Sequence, residues 1–288
     1  MNPSSATCLS LLALFAVSFS LAQQSPANGG VAQTQPSTVH VEPRKPITEY
    51  LVKVTTLSAA AEAEKKLNPN LTLLLTQARQ KMQSGDFGAA IVLMHEALAA
   101  RQHEALFWIT LGDAQCWTKS YADAVSSYTN ALASPIQTAN PEQLSAATEN
   151  NMGVALAALR RTSESIEAFG AAARHDPAKA AVYFTNEAFV IESMGAAGAV
   201  QAADKAIAAD PTFASAYYIR AEVMVERSTV DPTTQKIVTP PGCVESFQRY
   251  LDLQPNGEFA PEVRDILASI GQLSHAHYSN TAKTSALP

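Results

Sequence analysis

FWITLGDAQCWTKSYADAVSSYTNAL, residues 107–132, interleaves its largest side chains with its smallest: Trp108, Trp117, Tyr121 and Tyr128 stand among Gly112, Ala124 and Ala131. In a pair of packed helices this alternation is a packing code. Two helices approach closely only where their facing residues lack bulk, so Gly112 on the first helix and Ala124 on the second are expected to mark the contact. Trp108 and Tyr128 then fill the wedges on either side, and Ala131 lets the next helix settle. Interiors pack near crystal density, so a leucine at Gly112 is expected to cost about 1–3 kcal/mol or more.

The same spacing returns along the chain. Upstream, Phe87, Ala90, Met94 and Ala97 repeat it, with Ala90 lying 34 residues before Ala124. Downstream come Gly153, Ser165, Phe169, Ala172 and Pro177, then Tyr183, Ala199, Ala203, Ala206 and Pro211, the two prolines again 34 residues apart. A fifth set is Tyr217, Ala221, Cys243, Phe247, Tyr250 and Pro255. A period of this length, with an aromatic, Leu-Gly, Ala, a second aromatic and a closing Pro at set offsets, resembles the tetratricopeptide repeat, and residues 105–134 match it best. NEAFVIESMG (186–195) and PPGCVESFQRYLDLQPNGEFAPEVRDILASIG (240–271) further resemble exported repeat proteins of acidobacterial type, which implies an envelope or secreted setting and no established activity.

The expected fold is therefore all-α: a right-handed α-solenoid of about five helix–turn–helix units at 71–104, 105–138, 146–179, 180–213 and 214–257. One such unit cannot bury its own apolar face, so stability comes from stacking neighbours. The units are not identical. The first has Ala78 in place of the glycine and lacks the proline. The third has Glu149 where the large aromatic belongs and Ser165 for the alanine, which predicts the loosest packing of the five. Residues 228–242, inserted in the fifth unit, read as a small β-hairpin or as a tolerated loop.

Outside the repeats, residues 1–22 read as a signal peptide: an uncharged apolar run from Cys8 to Leu21, then Ser20 and Ala22 before Gln23. This run is too short and too rich in serine for a membrane span, so no transmembrane span is expected in the mature chain, and the chain is expected to be exported, periplasmic or secreted. Residues 23–46 have the composition of a disordered linker, and 47–66 carry apolar residues at helical spacing, as a helix flanking the first unit or a segment that folds on a partner. Residues 260–273 are amphipathic, as a capping helix must be, and 274–288 form a loose tail.

Composition narrows the function. The 288 residues are 47% hydrophobic with a formal charge of −6 and no run of Lys or Arg, which argues against nucleic acid as a partner. Cys116 and Cys243 lie three layers apart, far beyond disulfide reach, and should be free thiols. No phosphate-binding loop, dinucleotide fingerprint or serine elbow occurs, and no cofactor or metal is implied. HEALAARQHEAL (95–106) lacks the second histidine of a zinc-protease helix, because Ala99 follows His95 and Phe107 follows His103 at the required offset.

What the resemblance offers instead is a concave groove lined by the first helix of each unit. Carried over position by position, the first two units contribute Leu75, Arg79, Ile109, Asp113 and Trp117. The third gives Asn150 and Val154, and the last two give Phe184, Ile191, Glu192, Tyr218, Glu222 and Glu226. Co-chaperone members of the family grip a terminal carboxylate with groove lysines. Position 5 here reads Leu75, Ile109, Asn150, Phe184 and Tyr218, so binding of chaperone tails of that type is not expected. Aromatics beside carboxylates suit a peptide or protein partner, basic or apolar, and hence a non-enzymatic envelope scaffold. The alternatives are that Phe184 and Tyr218 merely complete packing between units, or that Glu192, Glu222 and Glu226 serve an envelope enzyme or a glycan-binding protein.

Overall fold

The computed structural model describes residues 67–136, 140–195, 197–234 and 236–271, and the signal, linker, flanking-helix and tail assignments lie outside them. Eleven α-helices run through this region: α1 (Pro69–Gln83), α2 (Phe87–Ala100), α3 (Ala105–Trp117), α4 (Tyr121–Ala133), α5 (Pro141–Ala158), α6 (Thr162–His175), α7 (Ala180–Ser193), α8 (Ala199–Ala209), α9 (Ala214–Val225), α10 (Cys243–Leu253) and α11 (Ala260–Ser269). They form five antiparallel pairs stacked side by side, with α11 against α10 at the end. The chain is an all-α solenoid.

Local chemistry sets the boundaries. Asn68 caps α1 by accepting from the Leu71 amide at 2.9 Å, Asp86 caps α2 through the Ala89 amide at 3.1 Å, and prolines open α1 and α5 where no amide is needed. The turn inside four of the units uses one residue with positive φ: Gly85 at 81°, Lys119 at 62°, Arg160 at 59° and Gly195 at 63°. In the first three its amide and the next one close back on the helix before it, as in Lys119 to Cys116 O and Ser120 to Gln115 O. The geometry repeats although the residue type does not.

The packing code is large against small, not small against small. A Cβ placed on Gly112 would stand 2.7 Å from Cε1 of Tyr128, and one on Gly153 2.8 Å from Cε1 of Phe169. Each glycine thus makes room for the aromatic ring of the facing helix, which corrects the expectation that Gly112 meets Ala124. The third unit is not loose. Ser165 donates to the Gly153 carbonyl at 2.7 Å, and the buried Glu149 pairs with His175 Nδ1 at 2.8 Å, so both departures are closed by hydrogen bonds. Burial still pushes the Glu149 carboxyl above its ordinary range, against the pull of His175.

In the fifth unit the insertion does form a hairpin, with Thr229–Val230 (β1) antiparallel to Ile237–Val238 (β2) and Asp231 accepting from the Thr233 and Thr234 amides. Arg220 of α9 holds its exit, donating to Asp204 at 2.7 Å, to the Gly242 carbonyl at 3.0 Å and to Ser246 at 2.7 Å. Cys116 and Cys243 are buried and neither is in a disulfide. The Cys243 thiol is pushed up to about 11, first by burial and then by Glu222 and Glu245. Neither thiol should react with a water-soluble disulfide reagent at pH 8 until denaturant is added, and per-site mass spectrometry checks this.

Candidate functional site: the hollow of the stack

The curvature of the stack follows from which helices touch. Successive first helices meet directly, α1 with α3, α3 with α5, α5 with α7 and α7 with α9, whereas the second helices α2, α4, α6, α8 and α10 are spaced apart from one another. Elements that approach across units lie on the inside of a bend. The first helices therefore line the hollow and the second helices form its outer wall.

Part of the inner wall is sealed by a chain of buried side-chain amides. Tyr128 Oη donates to Asp113 Oδ1 at 2.7 Å, and Asn151 Nδ2 donates to the same oxygen at 3.1 Å. Asn150 Nδ2 then donates to Asn151 Oδ1 at 3.2 Å, and Asn186 Nδ2 to Asn150 Oδ1 at 2.8 Å. This ladder crosses α3, α5 and α7 and fixes the register of three units with directional bonds that an apolar seam would lack. Burial, with Asp113 beside it, pushes the Tyr128 phenol well above its ordinary value, so it stays a donor at any working pH.

The predicted groove residues therefore divide. Asn150 is a rung of the ladder, Leu75, Val154 and Ile191 are buried in apolar clusters, and Tyr218 is a buried packing residue. Tyr218 stacks on Phe259 at 4.1 Å and its hydroxyl reaches Glu262 at 3.4 Å. Phe184 turns away from the hollow. It lies against α6, with Lys205 of α8 above its ring, on the outer side. Packing between units, the alternative reading of these two aromatics, accounts for Tyr218, while Phe184 lines an outer cleft.

Of what is left at the surface, Arg79, Trp117, Glu192, Glu222 and Glu226 lie toward the C-terminal ends of the first helices, whereas Ile109 and Asp113 lie further back along α3. Arg79, Ile109, Asp113, Glu192 and Glu222 are half-buried, Glu226 is exposed, and Trp117 is 50% exposed with its ring stacked 5.3 Å from Phe87. Two of these carboxylates sit where helix electrostatics disfavours them. Glu192 lies in the last turn of α7 and Glu226 caps the C-terminus of α9, and neither last turn holds a basic residue. The C-terminus of a helix carries partial negative charge and is stabilised by cations, so both acids lie at ends where the helix itself favours a basic residue. Sequence inspection found the acids but not their helix-end placement. It also missed Glu262, which α11 brings to the Tyr218 hydroxyl.

Among the described residues no three His, Cys, Asp or Glu side chains converge as metal ligands, and no helix is long and apolar enough to cross a membrane. No family model and no curated protein matches the chain. Solved structures do. A tetratricopeptide repeat protein from Parabacteroides merdae is 15% identical over 77% of this chain and 82% of its own, with a TM-score of 0.52. MamA residues 41 to the end, from Desulfovibrio magneticus, is 14% identical over 66% of this chain and 98% of its own, with a TM-score of 0.51. Another MamA structure is 20% identical, with a TM-score of 0.50, over 64% and 92%. At these identities the likeness is one of fold: the chain has the fold of a tetratricopeptide-repeat solenoid.

Proposed function

We propose that the chain is a non-enzymatic scaffold of the cell envelope that docks a basic protein segment in the hollow of the stack. The observation that carries this reading is the acidic rim. Glu192 and Glu226 are kept at helix C-termini that would be better served by lysine or arginine, on the same inner wall as the half-buried Glu222. A curved surface spanning five units, with Trp117 toward one end and carboxylates toward the other, suits an extended partner with an apolar anchor followed by Lys or Arg. Export is part of the proposal on the strength of residues 1–22, and mature protein starting at Gln23 in an envelope fraction is the outcome expected.

The test is a peptide array probed with the mature protein, followed by fluorescence polarisation on the best binders. Basic peptides with an apolar anchor should bind and acidic ones should not. The triple variant Glu192→Lys/Glu222→Lys/Glu226→Lys should weaken binding by about tenfold or more, and added salt should weaken it in the wild type only. Val92→Lys, at an exposed position of α2 on the outer wall, should change nothing. Equal binding by the triple variant would remove the hollow as the site.

A further inference from the structure

The fourth unit breaks the packing code of the others. Four units pair a small residue on the first helix with a large one on the second: Ala78 with Met94, Gly112 with Tyr128, Gly153 with Phe169, and Ala221 with Phe247. At the equivalent positions the fourth unit has Glu187 and Ala203. A buried aromatic has been exchanged for a carboxylate, and Glu187 is only 5% exposed. Beside it a cleft of about 540 Å³ opens on the outer side, between α6 and α8. Glu187 and Phe184 of α7 line it with Ile166, Glu167 and Arg174 of α6, and Lys205 of α8 stands at its mouth.

Lys205 shows what this arrangement holds. Its Nζ lies 3.3 Å from Glu187 Oε1 and 5.4 Å from the centroid of the Phe184 ring, so one ammonium group satisfies a carboxylate and an aromatic face together. Yet the Lys205 side chain is 55% exposed, which makes it a weak partner for a carboxylate that is 6% exposed. An incoming ammonium can take its place with no change in the charge of the cleft, while Lys205 moves into water. We propose that this cleft is a binding site for a primary alkylammonium group, the lysine side chain of a polypeptide or a small polyamine, with Lys205 as its internal occupant. The site lies on the outer wall and does not depend on the reading of the hollow.

Isothermal titration of the mature protein with n-butylammonium at fixed ionic strength tests this. Lys205→Ala should bind at least five times more tightly than wild type, because the competitor is gone, and Lys205→Met, which keeps the stem, should behave in the same way. Glu187→Gln and Phe184→Leu, with unchanged circular dichroism, should each lose tenfold or more. Titrating Nα-acetyl-lysine amide against 1,4-diaminobutane then assigns the source, the tighter binder indicating a polypeptide lysine or a polyamine respectively. Lys205 variants that bind no better than wild type, or binding that survives Glu187→Gln, overturn the proposal.

Discussion

Gly112→Leu should be the most damaging substitution in the second unit. Even Gly112→Ala places a methyl group 2.7 Å from the Tyr128 ring, which is itself buried and tied to Asp113, so the ring cannot simply swing aside. We expect a loss of about 1–3 kcal/mol for alanine and more for leucine, read as a fall in melting temperature of several degrees. Because the clash belongs to one pair, the Gly112→Ala/Tyr128→Leu double variant should be less unstable than the sum of its singles by about 1 kcal/mol. Gly88 is the control. It also lies in a helix, but nothing stands within 4 Å of its missing Cβ, so Gly88→Ala should be neutral or stabilising by a few tenths of a kcal/mol up to about 1. Additive singles would show that the glycine serves something other than the ring.

Tyr218→Ala should detach the end of the stack. The ring is 2% exposed, lies 4.1 Å from Phe259 and 5.7 Å from Tyr250, and joins α9 to α10 and to the residue that leads into α11. Removing it leaves a void where three elements meet, at a cost of about 3–5 kcal/mol. Hydrogen exchange should report the loss first in α11, which packs only on the last unit. Tyr218→Phe keeps the stack and loses only the 3.4 Å bond to Glu262, so about 1 kcal/mol or less is expected. Protection of α11 that is unchanged in Tyr218→Ala would contradict this account. The same burial makes Tyr218→Ala a poor probe of binding, because any lost affinity would reflect unfolding.

The repeat was legible because packing within a helix pair is local and recurs: Gly112 and Gly153, or Tyr128 and Phe169, return at fixed offsets. The contact itself was misread at Gly112, since glycine beside alanine suggests two flat surfaces, whereas only the facing atoms show a ring seated on a bare backbone. The site was less legible for a related reason. Asn150, Asn151 and Asn186 look like a polar surface in sequence, and two of their hydrogen bonds, Asn151 to Asp113 and Asn186 to Asn150, run between units at separations the repeat does not mark. Phe184 shares its repeat position with Tyr218, yet it lines the outer cleft beside Glu187 and Lys205, a difference that repeat position alone does not show.

A coil whose units meet along one edge and gape along the other has its hinge line on the touching edge. Here that edge is the amide-bonded wall, so flexing leaves its contour nearly constant while the gaps behind it widen or shut. Anything lodged behind the fourth unit would bear on α6, α7 and α8 from the wide edge, away from that hinge line.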